Sequence, residues 1–434
     1  MKLLINKNIN PKSISALTLG ENPEADMLYG CFRINNPRGD AFAPQREVEL
    51  LARSGKNVRV TVSAAMKIDL PADQKVVNTD LFRLEEIGRH GDSMHLLTMR
   101  AGWNQTDGDI RRMIKLDKHG SFVAKLTGPG FDIPIATSSV LPLGRHNTWI
   151  GMILVHPEVR RQGVANAMMQ ACVRYALEQG KVINGLDATP MGNTVYGAVG
   201  YVNSYRIWRS IFQPGEFAGK PYDRQRVTPM TSDDLPAVTR YDASAFLERE
   251  DILRTLLKDG DGGCFVYRSD AGAVQGYCYS RPGRLRPFVG PFIADTDEIA
   301  RQLLTAVSQK LLENKKNTTA FLDTPESKFA DKGVYVERVF EQEKKPSGHR
   351  LSATLKPVRD FMRMYQLVSD TEADKLVNRF MQAEGLPKDS PRVTDFARTI
   401  NQAVNNYTET LAFMTLEREH LQQKYWGITG PEKG

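Results

Sequence analysis

The chain has 434 residues, of which 41% are hydrophobic and 25% are charged, values typical of a globular protein with two or three domains. The formal net charge of +7 at pH 7 permits binding to nucleic acid or another polyanion without requiring it. No apolar run approaches the roughly 18 residues of a membrane-spanning helix, and the cysteines and histidines lack the spacing of a metal site or a disulfide framework.

Residues 1–74 are interpreted as an N-terminal extension that is partly β. Its first ten residues lack the apolar core and cleavage site of a signal peptide, so we expect a cytoplasmic protein. Val58, Val60 and Val62 alternate with polar neighbours and predict a strand, whereas residues 35–44 are typical of a loop. The extension either adds strands to the next domain or forms an assembly surface.

A helix and two strands are predicted next. Thr106 or Asp107 is positioned to cap a helix that reaches Leu116. Residues 120–126 alternate as a strand does, and residues 133–137 resemble the following strand.

Residues 149–166 comprise an apolar strand, a tight turn and a basic, glycine-bearing loop that opens a helix. Arg160 and Arg161 supply cations, and Gly163 has no Cβ to hold an anion away from the backbone. Because the N–H groups and the dipole of a helix start favour negative charge, the loop is typical of a pyrophosphate site. The apolar residues of this helix share one face, which predicts packing on a sheet. They are Val164, Ala167, Met168, Ala171, Cys172 and Tyr175.

A second strand and a short helix follow this segment. The strand ends at Leu186, and Asp187 lies at its exit. The helical segment presents Tyr196, and Gly200 with Tyr201 turns the chain into another strand.

Three features of these segments resemble the GNAT (GCN5-related) N-acetyltransferases. The pattern Arg160-x-x-Gly163-x-Ala165 behind an aliphatic strand resembles their acetyl-CoA signature, and the spacing from Tyr196 to Gly200 and its aromatic neighbour resembles the segment after their second central strand. The order of strands and helices predicted for these segments also resembles the order in that family. Phrases around 102–104, 149–152 and 186–190 resemble a tandem subgroup whose second domain is degenerate.

The resemblance implies an α/β (α+β) fold with two GNAT-like domains, each a mixed central sheet flanked by helices. We predict a catalytic domain over residues 75–212 and a degenerate one over residues 222–352. In the second of these, residues 264–267 and 274–279 predict a hairpin around Ser269-Asp-Ala-Gly272. The helix after Glu298 is predicted to carry one apolar face, formed by Ile299, Leu303, Ala306, Val307 and Leu311.

The resemblance also implies acetyl-CoA as the cofactor. Backbone and side chains of the basic loop would hold it, and these are Arg160, Arg161, Gln162, Gly163, Val164, Ala165 and Asn166. Exposed backbone near Leu154 and Val155 would polarise the thioester carbonyl if the two central strands splay there. Asn193 would contact the cofactor arm.

Tyr196 is the candidate general acid, because the family's tyrosine at this place stands beside the thioester sulfur. Asp187 and Glu158 are the candidate bases, and a water chain is the alternative to both. Trp103 and Asn104 lie in the connection that usually borders the acceptor pocket.

The second domain departs from the family at one informative place. Residues 288–294 resemble the strand before a cofactor loop, but Asp295-Thr-Asp-Glu298 follows, and this turn is acidic and lacks glycine. Carboxylates at a helix start compete with a bound pyrophosphate, so we predict that this domain binds no acetyl-CoA. It then serves either as a wall of the acceptor site or only as a packing partner.

Residues 353–434 lie outside the resemblance and are predicted to be a helical C-terminal extension. One helix would cover roughly 358–384 and end near Gly385, and a long helix would start at Ser390-Pro391. The long helix carries one apolar stripe, formed by Phe396, Ile400, Ala403, Tyr407, Leu411 and Met414. The two helices either pack back on the body or contact a second copy or an assembly partner.

The function that these predictions favour is acetyl-CoA-dependent acetylation of a primary amine on a small molecule or a protein. Two alternatives remain open. The chain is a structural or assembly protein with a vestigial GNAT domain, or it is an acyltransferase that modifies nucleic acid.

Overall fold

The structure is a computed structural model, and it describes residues 28–35, 46–52, 57–62, 83–87, 91–128, 131–156, 160–161, 163–259, 263–314, 318–328 and 355–428. The strands are β1 (Leu28–Asn35), β2 (Arg46–Ala52), β3 (Asn57–Val62), β4 (Arg83–Glu86), β5 (Ser121–Gly128), β6 (Phe131–Leu143), β7 (Asn147–Val155), β8 (Ile183–Ala188), β9 (Tyr201–Phe212), β10 (Val227–Pro229), β11 (Phe265–Arg268), β12 (Val274–Arg281), β13 (Phe288–Ala294), β14 (Ala320–Pro325), β15 (Lys356–Gln366) and β16 (Tyr425–Gly427). The helices are α1 (Gly91–Arg100), α2 (Asp107–Leu116), α3 (Val164–Glu178), α4 (Pro190–Gly197), α5 (Gly215–Ala218), α6 (Leu235–Ala243), α7 (Glu250–Asp259), α8 (Asp297–Glu313), α9 (Asp370–Glu384), α10 (Pro391–Asn405) and α11 (Tyr407–Glu419). The predicted mixed α/β class is confirmed.

The chain divides by residue contacts into two compact units. The first unit comprises Met1–Val140, Met152–Tyr175 and Thr371–Ile400, and the second comprises Leu141–Gly151, Ala176–Asp370 and Asn401–Gly434. The chain therefore passes from one unit to the other within β6, β7, α3, α9 and α10.

The first unit contains two antiparallel sets of strands, β1-β2-β3 and β4-β5-β6. β3 confirms the strand predicted from the alternating valines. α2 is preceded by Thr106, whose side chain accepts a hydrogen bond from Asp109 N at 3.2 Å, while the Asp109 carboxylate accepts one from Thr106 N at 2.9 Å. This reciprocal cap satisfies two N–H groups at the helix start, so Thr106 is the capping residue.

The second unit is built on one mixed sheet. Its strand order is β10-β11-β12-β13-β14-β9-β15-β8-β7, with β16 paired to β13. Neighbouring strands are antiparallel except for β13 with β14 and β7 with β8, which are parallel. The predicted hairpin is β11 with β12, closed by a turn in which Gly272 has a φ of +79°.

β15 corrects the predicted helix over 358–384. Residues 356–366 form a strand that pairs with β8 on one side and β9 on the other. Its second half, residues 363–366, is buried without interruption, so it lacks the alternation of buried and exposed residues that marks a half-buried strand. Val358, Phe361 and Tyr365 follow at steps of three and four, which imitates helical spacing. The helical part is α9, which ends before Gly385 (φ +63°) as predicted.

The predicted long C-terminal helix is two helices. α10 begins at Pro391 as expected, but the chain breaks at Asn406 (φ −94°, ψ 4°) before α11. Phe396 of α10 is buried and stacks on Phe380 of α9 with ring centroids 4.3 Å apart. The break turns the predicted stripe, so Leu411 of α11 is 39% exposed.

α8 packs its apolar face against the sheet of the second unit. All five residues predicted for this face are buried, and they are Ile299, Leu303, Ala306, Val307 and Leu311. The same core cluster includes Phe265 and Trp426, so β16 contributes to it.

Candidate active site

The start of α3 follows a turn with left-handed backbone. Arg161 has a φ of +61° and Gly163 a φ of +76°, and the amide of Ala167 donates to the Gly163 carbonyl at 3.0 Å as the helix begins. The first turn of α3 contains no acidic residue. Among the described residues of this turn, two arginines and no carboxylate precede the positive end of the helix dipole. Gln162 and Glu158 lie outside the described residues.

Arg160 and Arg161 are exposed. The Arg160 Nε donates to the Val155 carbonyl at 3.1 Å, so this side chain connects the end of β7 to the turn. Val164 is buried, whereas Ala165 and Asn166 are half-buried. An exposed guanidinium beside a helix start is suited to a phosphate-bearing ligand.

β7 is irregular before Leu154 and Val155. Met152 has a φ of +55°, which L residues rarely adopt within a strand. Its parallel pairing with β8 joins Asn147–Trp149 to Ile183–Gly185. The irregularity thus follows the paired stretch and precedes the two residues that we predict to polarise the carbonyl. Leu154 is buried and Val155 is half-buried.

Tyr196 lies on α4, directly after β8. Thr189 caps this helix by accepting a hydrogen bond from Gly192 N, and Pro190 occupies its first position. The Tyr196 ring folds over Gly192, where a Cβ would come within 2.7 Å of the ring and 2.8 Å of the hydroxyl. Gly200 (φ +87°) then turns the chain into β9. The predicted strand, helix and turn are all present.

Asn193 is held by two neighbouring strands. Its Nδ2 donates to Asn203 Oδ1 on β9 at 2.8 Å and lies 3.5 Å from Met364 Sδ on β15. Its predicted contact with the cofactor arm stays a prediction.

Asp187 is buried and bonded to an arginine that sequence reasoning missed. Both its carboxylate oxygens accept hydrogen bonds from Arg363 of β15, at 2.9 and 3.0 Å, and the side chain has no exposed surface. Burial raises the pKa of Asp187 to about 6, while Arg363 acts in the opposite direction. A carboxylate bonded in this way is poorly placed to take a proton from an amine, so we do not assign Asp187 as the base.

Arg363 was missed because no local signal marks it. It lies 176 positions from Asp187 in sequence, on a strand that resembled a helix. Glu417, on α11, also accepts a hydrogen bond from Arg363, at 3.1 Å.

Trp103 and Asn104 lie between α1 and α2 in the first unit. The chain leaves α1 through Gly102 (φ +68°), and the amide of Trp103 donates to the Thr98 carbonyl at 2.9 Å. Trp103 is half-buried and Asn104 is buried. This fixes the connection, and its contact with an acceptor stays a prediction.

The acidic turn of the predicted second domain caps its own helix. Thr296 accepts a hydrogen bond from Ile299 N, and Asp297 and Glu298 occupy the first turn of α8. Arg249 is buried and bonded to Asp242.

β16 lies beside β13 and β14. β13 and β14 pair through Phe288–Val289 and Phe321–Leu322. Farther along β13, Phe292 and Ile293 pair with β16. The Ile428 amide donates to the Asp323 carbonyl at 2.9 Å, and Thr324 Oγ1 donates to the Trp426 carbonyl at 2.9 Å. The C-terminal strand is thus hydrogen-bonded to both members of the parallel pair.

Two family profiles match successive parts of the chain. One, described as the acetyltransferase (GNAT) family, matches residues 92–194, and the other, described as an acetyltransferase (GNAT) domain, matches residues 238–347. With the fold, these matches define an enzyme of the GNAT acyltransferase type. More particularly, two successive matches in one chain are the arrangement of a tandem GNAT N-acetyltransferase. We call residues 92–194 the first GNAT segment and residues 238–347 the second.

Two similar proteins agree with this assignment. The chain is 27% identical over 235 residues to the uncharacterized N-acetyltransferase YitH of Bacillus subtilis. The aligned residues cover 53% of this chain and 78% of that protein. A crystal structure of a proposed acetyltransferase from Pyrococcus horikoshii matches with a TM-score of 0.52 at 14% identity, covering 85% of this chain and 100% of the other. The second likeness shows the fold alone.

Among the described residues, no helix is long and apolar enough to cross a membrane. The described part of the chain also brings together no group of three or more histidine, cysteine, aspartate or glutamate residues suited to a metal ion.

Proposed function

We propose that the protein transfers the acetyl group of acetyl-CoA to a primary amine of a small molecule or a protein. GNAT acetyltransferases in general use acetyl-CoA. The observation that carries the proposal is the start of α3, where left-handed backbone at Arg161 and Gly163 precedes a helix without an acidic first turn. This combination is suited to a pyrophosphate.

In this proposal the turn before α3 anchors the cofactor. Arg160 and Arg161 neutralise the phosphates, and the amides of the turn and first helical residues bind their oxygens. The residues assigned to this role are Arg160, Arg161, Gln162, Gly163, Val164, Ala165 and Asn166. Asn193 is assigned to the cofactor arm.

The backbone near Leu154 and Val155 is assigned to polarise the thioester carbonyl. Its support is the left-handed Met152, which interrupts the regular strand just before these residues. An N–H group aimed at the carbonyl oxygen stabilises the negative charge that develops there as the amine attacks.

Tyr196 is assigned as the general acid. Bound acetyl-CoA would supply an activated acetyl group, and the Tyr196 hydroxyl would donate its proton to the sulfur as the C–S bond breaks and the amine nitrogen bonds to the acetyl carbon. The proton that the amine loses passes to water or to Glu158. Tyr196 is held over Gly192 on a capped helix, which fixes the direction of its ring.

The acceptor would be bordered by Trp103 and Asn104, in the connection that leads into α2. The half-buried indole of Trp103 offers an apolar surface, and the Asn104 amide can accept a hydrogen bond from an amine. The nature of the acceptor follows from the reaction class and not from these two residues.

The test is mass spectrometry of a library of primary amines incubated with the protein and acetyl-CoA. We expect an acetylated product and a fall of about tenfold or more in kcat for Tyr196→Phe, which keeps the ring and removes the proton donor. Tyr222→Phe, which removes a hydroxyl from a half-buried tyrosine elsewhere, is the matched control. Full activity in Tyr196→Phe would remove this residue from its role.

A thermal-shift titration with acetyl-CoA separates an enzyme from an assembly protein that keeps a vestigial domain. Ligand present at about 100 times its Kd stabilises a native protein by about 2.7 kcal/mol, so the melting temperature of an acetyl-CoA enzyme should rise. No shift at millimolar acetyl-CoA would favour the assembly role.

A further inference from the structure

Arg363 is the centre of a buried polar cluster that joins four elements. Its Nε and Nη2 donate to Asp187 of β8, and its Nη1 donates to Tyr205 of β9 at 3.0 Å and to Glu417 of α11 at 3.1 Å. Glu417 also accepts hydrogen bonds from Tyr205 at 2.8 Å and from Tyr365 at 2.6 Å. The three charged side chains are at most 1% exposed.

Such a cluster is not explained by stability alone. Burying one guanidinium and two carboxylates carries a desolvation cost, and replacing a buried ion pair with apolar side chains of similar volume is often neutral or stabilising. Its geometry, in contrast, is specific, because a bidentate arginine fixes both the distance and the plane of its carboxylate. The cluster therefore fixes the relative positions of the strands and helix that supply its members.

The position that it fixes is the end of β8. Arg363 lies directly opposite Asp187 in the antiparallel register, and Asp187 is the last residue but one of β8. Two residues later Thr189 caps α4. The next residue of β15, Met364, contacts Asn193 within α4. Consecutive residues of β15 thus hold both the strand end and the helix that carries Tyr196.

Arg363 also supports the place where the parallel pairing of β7 and β8 ends. Its guanidinium carbon lies 4.6 Å from the centroid of the Trp149 ring, and Trp149 pairs with Gly185. A Cβ on Gly185 would lie 2.2 Å from the Trp149 ring and 2.9 Å from the Tyr365 ring, so these rings close over the glycine. The end of the pairing is therefore packed from β15.

We infer that Arg363 and Glu417 are positioning residues for the transfer reaction, acting through Asp187 on the strand end and helix that carry Tyr196. Neither residue touches the reacting groups in this account. The inference rests on the proposed role of Tyr196. The inference also assigns a role to the C-terminal region. β15 and α11 follow the second GNAT segment in sequence, and their residues Arg363 and Glu417 position part of the first segment.

The experiment compares Arg363→Met with Arg209→Met. Arg209 of β9 is the matched control position, because it also donates to both oxygens of a buried aspartate, Asp323 of β14, at 2.8 and 2.7 Å. Both variants remove a buried bidentate arginine. We expect Arg363→Met to lower kcat by about tenfold to a hundredfold, with the KM for acetyl-CoA changed by less than about threefold. Arg209→Met should retain the kcat of the wild type per folded molecule.

A double-mutant cycle with Tyr196→Phe separates positioning from general loss of structure. If Arg363 acts through Tyr196, Arg363→Lys should lower kcat in the wild type and have little further effect in Tyr196→Phe. Equal losses in both backgrounds, or equal losses of kcat in Arg363→Met and Arg209→Met, would overturn the inference.

Glu417→Gln keeps the size of the side chain and the acceptor for one tyrosine, so it tests the cluster if Arg363→Met does not fold. We expect a several-fold loss of kcat in that variant, and an unchanged kcat would overturn the role of Glu417.

Failure of the proposed function would look different. A wild-type chain that acetylates no amine, or a Tyr196→Phe variant with full activity, contradicts the proposed chemistry. An active wild type that depends on Tyr196 but not on Arg363 contradicts only the positioning role.

Discussion

The two GNAT segments start their helices in opposite ways. α3 follows two arginines and a left-handed glycine and has no acid in its first turn, whereas α8 is capped by Thr296 and carries Asp297 and Glu298. A helix start has N–H groups that need an acceptor. α8 supplies one from its own side chains, and α3 is suited to take one from a phosphate.

The strands beside these helices, in contrast, are built alike. β8 ends in Leu186-Asp-Ala188 with Thr-Pro190 directly after it, and β14 ends in Leu322-Asp-Thr-Pro325. Each buried aspartate is bonded through both oxygens to an arginine on a neighbouring strand. After β8 comes α4 with Tyr196, whereas the residues that the structure describes directly after β14 form the short 3-10 turn Glu326–Lys328.

The comparison shows that the sheet of a domain and the turns at its strand ends, which carry binding and catalytic residues, can change independently. The sheet, the parallel strand pair and the buried aspartate recur, while the turns at the strand ends differ. Because ligands of open α/β sheets bind at the carboxyl ends of strands, changes confined to these ends can remove a site and leave the fold intact. The C-terminal strand β16, bonded to β13 and β14, is a further difference at this end.

The largest expected effect is on cofactor binding. Arg160→Glu combined with Gly163→Glu replaces a cation with a carboxylate and adds a second carboxylate where the wild type has no side chain, so we expect the Kd for acetyl-CoA to rise more than about a hundredfold by isothermal titration calorimetry. The matched pair Asp297→Asn with Glu298→Gln, at the start of α8, should leave one bound acetyl-CoA per chain. Two equivalents bound by the wild type, or one retained by the first variant, would contradict the assignment of the site to α3.

A smaller effect is expected at β16. A Cβ on Gly427 would lie 2.6 Å from Leu322 Cδ1 and 3.2 Å from the Val289 carbonyl oxygen, so Gly427→Ala should lower the free energy of unfolding by about 1–3 kcal/mol in urea denaturation. Gly219→Ala, where nothing lies within 4 Å of the new Cβ, is the control. Equal stabilities for the two variants would show that close packing of β16 on β13 and β14 does not contribute to the stability of the protein.

The sequence predicted the local part of this arrangement well. The cap at Thr106, the hairpin of β11 and β12, the apolar face of α8 and the strand, helix and turn around Tyr196 are all present. These features depend on residues within a few positions of one another, so capping residues, turn glycines and apolar spacing report them directly.

What sequence could not predict depends on long-range pairing. β15 is buried without interruption over residues 363–366, so this stretch does not show the alternation that marks a half-buried strand. The partner of Asp187 could not be named because it lies on that strand, and an exit position on a strand is equally typical of a catalytic carboxylate. The break at Asn406 was missed because the apolar steps continue across it.

Matched changes at two helix caps would sharpen the comparison further. Thr189→Ala and Thr296→Ala each remove a side-chain acceptor for an N–H at a helix start, and each should cost about 1 kcal/mol of stability. Only the first lies at the start of α4, so only Thr189→Ala should also lower kcat. A similar loss of kcat in Thr296→Ala would indicate that the second GNAT segment takes part in the chemistry.

The smallest expected effect is the pH dependence of stability that Asp187 introduces. Burial raises the pKa of this carboxyl from 3.8 to about 6, against the effect of Arg363. Between these values the native chain binds more protons at this site than the unfolded chain, so stability falls as pH rises. The contribution is fully present below about pH 4 and is lost as pH rises through about 6. Asp187→Asn cannot titrate, so urea denaturation from about pH 4 to 7 should show the wild type losing stability relative to the variant. A difference that is constant with pH would mean that Asp187 titrates alike in the native and unfolded chains, and that Arg363 fully offsets the cost of its burial.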